Sequence, residues 1–402
     1  MPISTNMRVA ILFDRFGPYH IARIKAAAKW MTVLPIEISG ETSEYQWDKV
    51  EDDVIQNRIT LFKNVESKKV ATSLLKKALE QAFAEQKPDA VAVNGWSDPS
   101  AVIALFWCKK NNIPSIVMSE SAQGDENRVW WKEVLKKIIV RQFGGALVGG
   151  IRHKNYLIAL GLKKDQIFAG YDVVDNKYFE TAADNAEGQR HLWQEKKNLP
   201  ANYFLVVSRF IEKKNLFFVI KAYGQYYNKT GNSAWHLLIL GDGPLKGQLT
   251  MLVNELGLNH VVHFEGFKQY NDLPIYFGLA KAFIHASTIE QWGLVVNEAM
   301  ASGLPVIISE RCGCVPELVH NGKNGYVINP LDQGALTNIL QKMSGNSVTL
   351  EEMAKESKKI VANFDSDKFG SGLLEAVKYA TNHPLKNAGI ITRLVLQSLI
   401  KR

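Results

Sequence analysis

Short apolar runs bounded by turns alternate along this chain with longer stretches of helical period. Residues 9–13 (VAILF), 90–93 and 115–118 each form a continuous apolar run of strand length. Residues 18–30, 70–86, 101–110 and 130–143 carry apolar positions at helical spacing. A fully apolar strand is buried on both faces, so the repeat strand, helix, strand predicts a parallel sheet with helices on either side. A short strand at 145–148 runs into Gly149-Gly150. Residues 180–200 (ETAADNAEGQRHLWQEKKNLP) then break the pattern, being polar and poor in strand formers, and read as a linker.

A second series follows. Strands are predicted at 203–207, 236–240, 260–264, 283–285, 306–308 and 325–328, and helices at 216–227, 293–301, 334–343 and 350–363. The expected fold is α/β: two doubly wound, Rossmann-like domains with a cleft between them, spanning 1–180 and 201–380 around a linker at 181–200. Ligands of such sheets bind at the carboxyl ends of the strands, which places the loops after Phe13, Met118, Val207, Leu240 and His285 in the cleft.

The length of 402 residues suits two domains. The three cysteines, Cys108, Cys312 and Cys314, are an odd set that argues against a disulfide framework and for a reducing compartment. Cys312-Gly-Cys314 is too small a set for a metal site. The apolar start at residues 7–13 is too short for a signal peptide core, and no run approaches the ~20 apolar residues of a spanning helix. The expected location is cytoplasmic, with peripheral attachment to the inner membrane face as an option. The net charge is +8, and residues 130–164 hold eight Lys/Arg against one acid. No helix-turn-helix, zinc-finger or RNA-binding pattern accompanies that charge, so nucleic acid is not an expected partner.

The densest chemistry lies between His285 and Pro330. Glu290 follows a strand and Glu298 sits on the next helix, with seven residues between them. The helix N-terminus near Gly293 offers unpaired N–H groups and a partial positive charge, which suit phosphate. Arg209 and Lys214 end the first strand of the second half, where a planar fork and a point charge can share one diphosphate. Alone, such a loop is ordinarily a solvated basic turn. Gly241-Asp242-Gly243-Pro244 likewise reads alone as an ordinary turn; it is not the dinucleotide fingerprint, and there is no Walker A pattern.

Taken together, SRFIEKKN, GDGP, FEGF (264–267), EQWGLVVNE, AMASGLPVI and NGKNGYVINP resemble family 4 retaining glycosyltransferases of GT-B architecture over residues 203–330. The first half resembles them mainly in layout, with GYDVVDNKYF (170–179) where family members leave the first domain. The resemblance implies a donor-binding second domain and an acceptor-binding first domain completed by the C-terminal helix 381–402. It implies that Arg209 and Lys214 neutralise the diphosphate of a nucleotide sugar. Glu298 would accept the ribose hydroxyls and Glu290 would touch the donor sugar. Gly241, Asp242 and Gly243 would belong to the donor site. Gly293, Leu294 and Val295 would approach the diphosphate, and the base would lie near Phe267 and Lys268. Arg209, Lys214 and Glu290 are thus the candidate catalytic set. No D-x-D sequence is present, so neither metal nor cofactor is expected, and the cations with the helix amides would meet the charge growing on the leaving diphosphate. Retention is implied by the family alone, and a covalent role for Glu290 stays open.

The acceptor side departs from the family pattern. Relatives carry paired glycines where this chain has Gly17 and then Pro18, and commonly a histidine near the place of Glu120. His20 either touches the acceptor or packs on the first helix, and Glu120 is a candidate acceptor-binding group or weak base. Asn94, Trp96 and Asp98 either bind sugar or cap a helix. Residues 130–143 (WWKEVLKKIIVRQF) place Trp131, Val134, Leu135, Ile138 and Ile139 on one face and Lys132, Lys136, Lys137 and Arg141 mainly on the other. That face either packs on the sheet or meets an anionic membrane. Residues 391–402 are similarly apolar and basic. The expected activity is hexosyl transfer from a nucleotide sugar to a glycan or lipid-linked acceptor, in surface polysaccharide or glycolipid synthesis. The alternatives are a nucleotide-sugar epimerase of the same fold and a non-catalytic binding protein, since fold alone does not give function.

Overall fold

The computed structural model describes residues 5–41, 48, 55–126, 128–345, 347–385 and 396–400. The chain divides into two compact units, Met1–Val174 with Asp365–Arg402, and Asp175–Phe364.

The first unit runs β1 (Thr5–Phe13), α1 (Pro18–Ala27), β2 (Met31–Glu41), β3 (Ile59–Glu66), α2 (Thr72–Gln86) and β4 (Ala90–Asn94). It continues with α3 (Pro99–Asn111), β5 (Ser115–Ser119), α4 (Trp130–Val140), β6 (Gly145–Val148), α5 (Ile151–Ala159) and β7 (Ile167–Ala169). Its seven strands are parallel, in the order β3-β2-β1-β4-β5-β6-β7. The apolar runs behave as continuous hydrophobicity demands: Ala90, Val91 and Ala92 of β4 and Ile116, Val117 and Met118 of β5 are fully buried.

The second unit opens with α6 (Asn176–Gly188) and α7 (Arg190–Lys197). It then runs β8 (Tyr203–Val207), α8 (Leu216–Thr230), β9 (His236–Leu240), α9 (Lys246–Glu255), β10 (Val262–Gly266) and α10 (Leu273–Leu279). There follow β11 (Ala282–His285), α11 (Leu294–Ala301), β12 (Val306–Ser309), α12 (Val315–Leu318), β13 (Gly325–Ile328), α13 (Gln333–Ser344) and α14 (Ser347–Val361). Its parallel sheet has the order β10-β9-β8-β11-β12-β13. The last helix, α15 (Ser366–Asn382), returns to the first unit. Both sheets reverse strand order beside their first strand, between β1 and β4 and between β8 and β11, which is where sheets of this kind open a binding crevice.

The structure differs from the sequence reading in several places. Residues 181–200 are not extended: α6 and α7 occupy most of them, and the chain crosses between units at 174/175 and 364/365. Their polarity marks helices with one exposed face; Phe179, Ala183 and Ala186 are the buried stripe of α6. The returning segment begins at α15, before residue 381; helical residues 396–400 add Leu396 to the first core, while 386–395 and 401–402 lie outside the described residues. Strands β2 and β3 join the edge of the first sheet, although Pro35 breaks the alternation of β2 at the residue paired with Ile11.

Helix α4 also packs differently from its expected face. Only Ile139 and Val140 are buried and Leu135 leans on the core, while Trp130, Trp131 and Val134 stand 79%, 51% and 48% exposed. Lys136 turns away from solvent, 2.7 Å from Glu126 and 3.0 Å from Glu133.

Candidate active site

In the second unit the β8 and β11 loops meet because their strands are neighbours. Asn215 carries them together. It sits in the left-handed region at φ +59, which asparagine tolerates, and its Nδ2 donates to Ala286 O at 3.2 Å and Pro330 O at 2.9 Å. Thr288 N donates to Lys213 O at 2.8 Å. This stitching presses the preceding turn, Glu212–Lys214, against the β11 loop, and the Lys214 ammonium pairs directly with Glu290 Oε2. Both side chains are 14% exposed.

Glu290 Oε2 is crowded with further polar groups. Ser287 Oγ donates to it at 3.0 Å, and His285 Nε2 lies 3.1 Å away. The backbone is fixed from the other side, where Gly313 N donates to Glu290 O at 3.0 Å and Cys314 N to Trp292 O at 3.3 Å. Cys312 and Cys314 are buried free thiols in that supporting segment. Burial pulls the His285 imidazole below its usual range, so Lys214 is the counter-charge of Glu290. Burial alone would raise the Glu290 carboxyl, but the hydrogen bonds from His285 and the Lys214 ammonium hold it well below the usual carboxylate range.

Gly293 caps α11 at φ +101, and a Cβ there would lie 3.4 Å from Glu290 Cγ. That is an ordinary contact, so what calls for glycine is the left-handed backbone conformation. Leu294 and Val295 open the helix half-buried, presenting its first N–H groups. Further along α11, Asn297 accepts from Trp292 Nε1 at 2.9 Å, and Glu298 is 1% exposed. Its charge is felt by Tyr270 and Tyr178, whose hydroxyls burial raises first and Glu298 raises further. These two rings stack at 5.0 Å.

Gly241, Asp242 and Gly243 knit β9 to the β8 loop. A Cβ on Gly241, at φ +132, would overlap the Ser208 carbonyl oxygen. Phe210 N donates to Asp242 O at 2.8 Å, and Asp242 Oδ1 accepts from Gly243 N at 2.8 Å. Arg209 projects from this loop and is exposed. Phe267 follows β10 half-buried, beside Lys268, which sits 5.2 Å over the Tyr276 ring. Asn215, Ser287 and His285 carry no local sequence signal for these roles: the task of Asn215, which closes SRFIEKKN, is set by a loop 71 residues away. Among the described residues, no group of three or more His, Cys, Asp or Glu side chains is placed to hold a metal.

In the first unit, Gly17 is extended at φ −128, and its N–H donates to His20 Nδ1 at 3.0 Å. His20 also packs 4.3 Å from the Phe13 ring. Burial, then the Arg23 charge, pulls its imidazole down to about 3, so it is neutral. The loop is held from below by Glu37, a fully buried carboxylate accepting from Phe16 N at 2.8 Å, Arg58 Nε at 2.9 Å and Thr60 Oγ1 at 2.6 Å. A hollow at the carboxyl ends of β1 and β4 is lined by Asp14, Asn94, Asp98 and Ser100. Trp96 is buried and packs 6.2 Å from Tyr156, which places its ring in the core. Glu120 follows β5, partly exposed.

The fold is GT-B. A sucrose-phosphate synthase from Thermosynechococcus elongatus superposes with TM-score 0.72 at 20% identity over 92% of this chain and 97% of its own. Anabaena Alr3699/HepE in complex with UDP superposes with TM-score 0.72 at 17% identity over 93% and 100%. Residues 189–360 match the family model for glycosyl transferases group 1, and the chain carries a domain of that family. Alpha-monoglucosyldiacylglycerol synthase of Acholeplasma laidlawii is 30% identical over 125 residues, 31% of each chain. The putative colanic acid biosynthesis glycosyltransferase WcaL of Salmonella typhimurium is 32% identical over 163 residues, 39% of each. The matched segment thus spans about a third of the curated relatives' length.

Proposed function

We propose that this protein is a retaining glycosyltransferase that moves a hexosyl group from a nucleotide sugar to a glycan or lipid-linked acceptor. The observation that carries the reading is the Lys214–Glu290 pair set against the Gly293-capped start of α11. A diphosphate seated there would meet the Lys214 ammonium, the Arg209 guanidinium and the helix N–H groups. These groups can stabilise the charge that grows on the departing phosphate, without a metal ion. Glu290, ionised and oriented by Ser287 and His285, is suited to accept hydrogen bonds from the donor sugar. Glu298, buried on α11, is suited to the ribose hydroxyls. The acceptor belongs to the first unit, around Gly17, His20 and Glu120. A front-face path, with the leaving phosphate taking the acceptor proton, leaves no nucleophilic step to either glutamate. The UDP complex of Alr3699/HepE and the glycolipid and polysaccharide relatives support the donor and acceptor classes.

The exposed Trp130, Trp131 and Val134 beside Lys132 and Lys137 favour a lipid-linked acceptor, reached from an anionic membrane surface. No described helix is long and apolar enough to cross a membrane. The test is a transfer assay with UDP-, GDP-, ADP- and TDP-sugars in EDTA, followed by NMR of the product anomer. A product with the donor's anomeric configuration supports the reading. Inversion, or turnover that needs a divalent ion, overturns it.

A further inference from the structure

Phe16, Gly17 and Pro18 follow one another at the junction of β1 and α1, where sheets of this kind receive ligands. Phe16 N donates to the buried Glu37 carboxylate at 2.8 Å, and Gly17 N donates to His20 Nδ1 at 3.0 Å. Pro18 has no N–H. The apex of this turn therefore keeps no N–H group for a ligand. A donor whose direction the fold sets stands just beyond it, on the His20 ring. A ring nitrogen that accepts a hydrogen bond holds a lone pair, so Nδ1 is unprotonated and the ring proton sits on Nε2. Burial, then the Arg23 charge, keeps the ring neutral.

The ring is also held in place, against Phe13 at 4.3 Å and Phe16 at 6.5 Å. With Nδ1 turned to the helix cap, the Nε2–H lies on the opposite edge of the ring. Phe13 is shared with the hollow at the carboxyl ends of β1 and β4, which Asp14, Asn94, Asp98 and Ser100 also line. Capping alone does not account for where this ring sits. The same cap opens α5, where Gly150 N donates to His153 Nδ1 at 3.0 Å, and there the histidine is fully buried. His20 is only half-buried.

We propose that His20 is a hydrogen-bond donor of the acceptor site, its Nε2–H meeting a non-reacting oxygen of the acceptor sugar. The inference rests on the reading of this protein as a glycosyltransferase with its acceptor in the first unit. Donation to the reacting oxygen would draw electron density from it and oppose its attack, so the partner is a neighbouring hydroxyl or ring oxygen. The Nδ1 lone pair is taken by Gly17 and Nε2 already carries the proton, so His20 is not the base of the reaction. Its effect therefore falls on the acceptor KM and not on kcat.

The test has two arms on the full chain. In long-range proton–nitrogen NMR spectra of protein with isotope-labelled histidine, the His20 signals, assigned by their loss in His20→Gln, should be those of the Nε2–H tautomer. A protonated Nδ1 overturns the lock. Kinetics then separate the donor from the cap. Gln and Glu both accept from the N-cap N–H at this helix position, but only Gln also donates. Transfer from the active nucleotide sugar is followed with octyl glucoside, octyl galactoside and octyl mannoside as acceptor probes. His20→Glu should raise the acceptor KM about tenfold, with kcat within about twofold and the donor KM unchanged. His20→Gln should recover most of that loss. Equal acceptor KM in the Glu and Gln variants at matched Tm overturns the donor role, and so does a rise confined to the donor KM. Absence of wild-type transfer to every probe instead counts against the functional reading. The three glycosides are then titrated into the labelled wild type, and a His20 Nε2–H signal that moves with none of them overturns the proposal by itself.

Discussion

Replacing Lys214 with alanine removes the counter-charge of Glu290 and leaves its carboxylate with Ser287 and a neutral His285. Breaking a buried ion pair by deleting one partner costs about 3–5 kcal/mol. Here both side chains keep 14% exposure and Ser287 still donates, so the expected cost falls at or just below the bottom of that range, about 2–3 kcal/mol. In a domain of roughly 150–250 residues each kcal/mol moves Tm by about 2–4 °C, so Tm should fall by about 5–10 °C. The pairwise part is isolated by a cycle of Lys214→Met, Glu290→Gln and the double variant in urea denaturation. Residues in one ion-pair network couple by about 0.5–3 kcal/mol, and we expect at least about 1 kcal/mol here. In a transfer assay the same lysine should also contribute a charge-assisted hydrogen bond of about 1.5–3 kcal/mol to the diphosphate, a loss of about ten- to hundredfold in kcat/KM for Lys214→Ala. Additive destabilisation within about 0.5 kcal/mol would show that the two side chains do not act together, and would refute the pairing argument.

Other consequences are equally direct. Gly293→Ala forces a side chain into the left-handed region, at φ +101; it should destabilise the protein by about 1–2 kcal/mol and weaken nucleotide-sugar binding in a thermal-shift titration. Glu290 is held below its unfolded value, so its stabilisation is complete above the unfolded pKa of about 4.3 and is lost as pH falls through the folded value. The stability gap between wild type and Glu290→Gln should therefore be flat from pH 6 to 8 and should shrink below about pH 4, measured by urea denaturation at each pH. Replacing exposed Trp130 and Trp131 with glutamate should abolish flotation with vesicles containing phosphatidylglycerol, leaving Tm unchanged because neither ring is part of the core.

Much of the second unit was legible in the sequence, because its signals are local. The apolar runs became β8 to β13, and the pattern from Glu290 to Glu298 became a loop and a helix with glycine at its start. Contacts between distant loops were not legible. Asn215 acts through Ala286 and Pro330, and His285 reads as the end of a strand until Glu290 folds back onto it. The first unit was harder still. Glu37, in β2, reads as a polar interruption of an apolar run; only the fold brings Arg58 and Thr60 of the neighbouring segments to its carboxylate. Amphipathic period misassigned the outer face of α4, since two of its apolar positions, Trp131 and Val134, face solvent.

The central claim is that the diphosphate of a donor is held by Lys214, Arg209 and the start of α11, with Glu298 on the ribose. Calorimetric titration of UDP, GDP, ADP and TDP in EDTA, on wild type, Lys214→Ala and Glu298→Ala, tests it most directly. The account predicts that one nucleotide binds without a divalent ion, that Lys214→Ala weakens it about tenfold or more, and that Glu298→Ala weakens the nucleotide but not inorganic pyrophosphate. Binding that appears only when a divalent ion is added, or a Glu298→Ala protein that binds the nucleotide as wild type does, would contradict it.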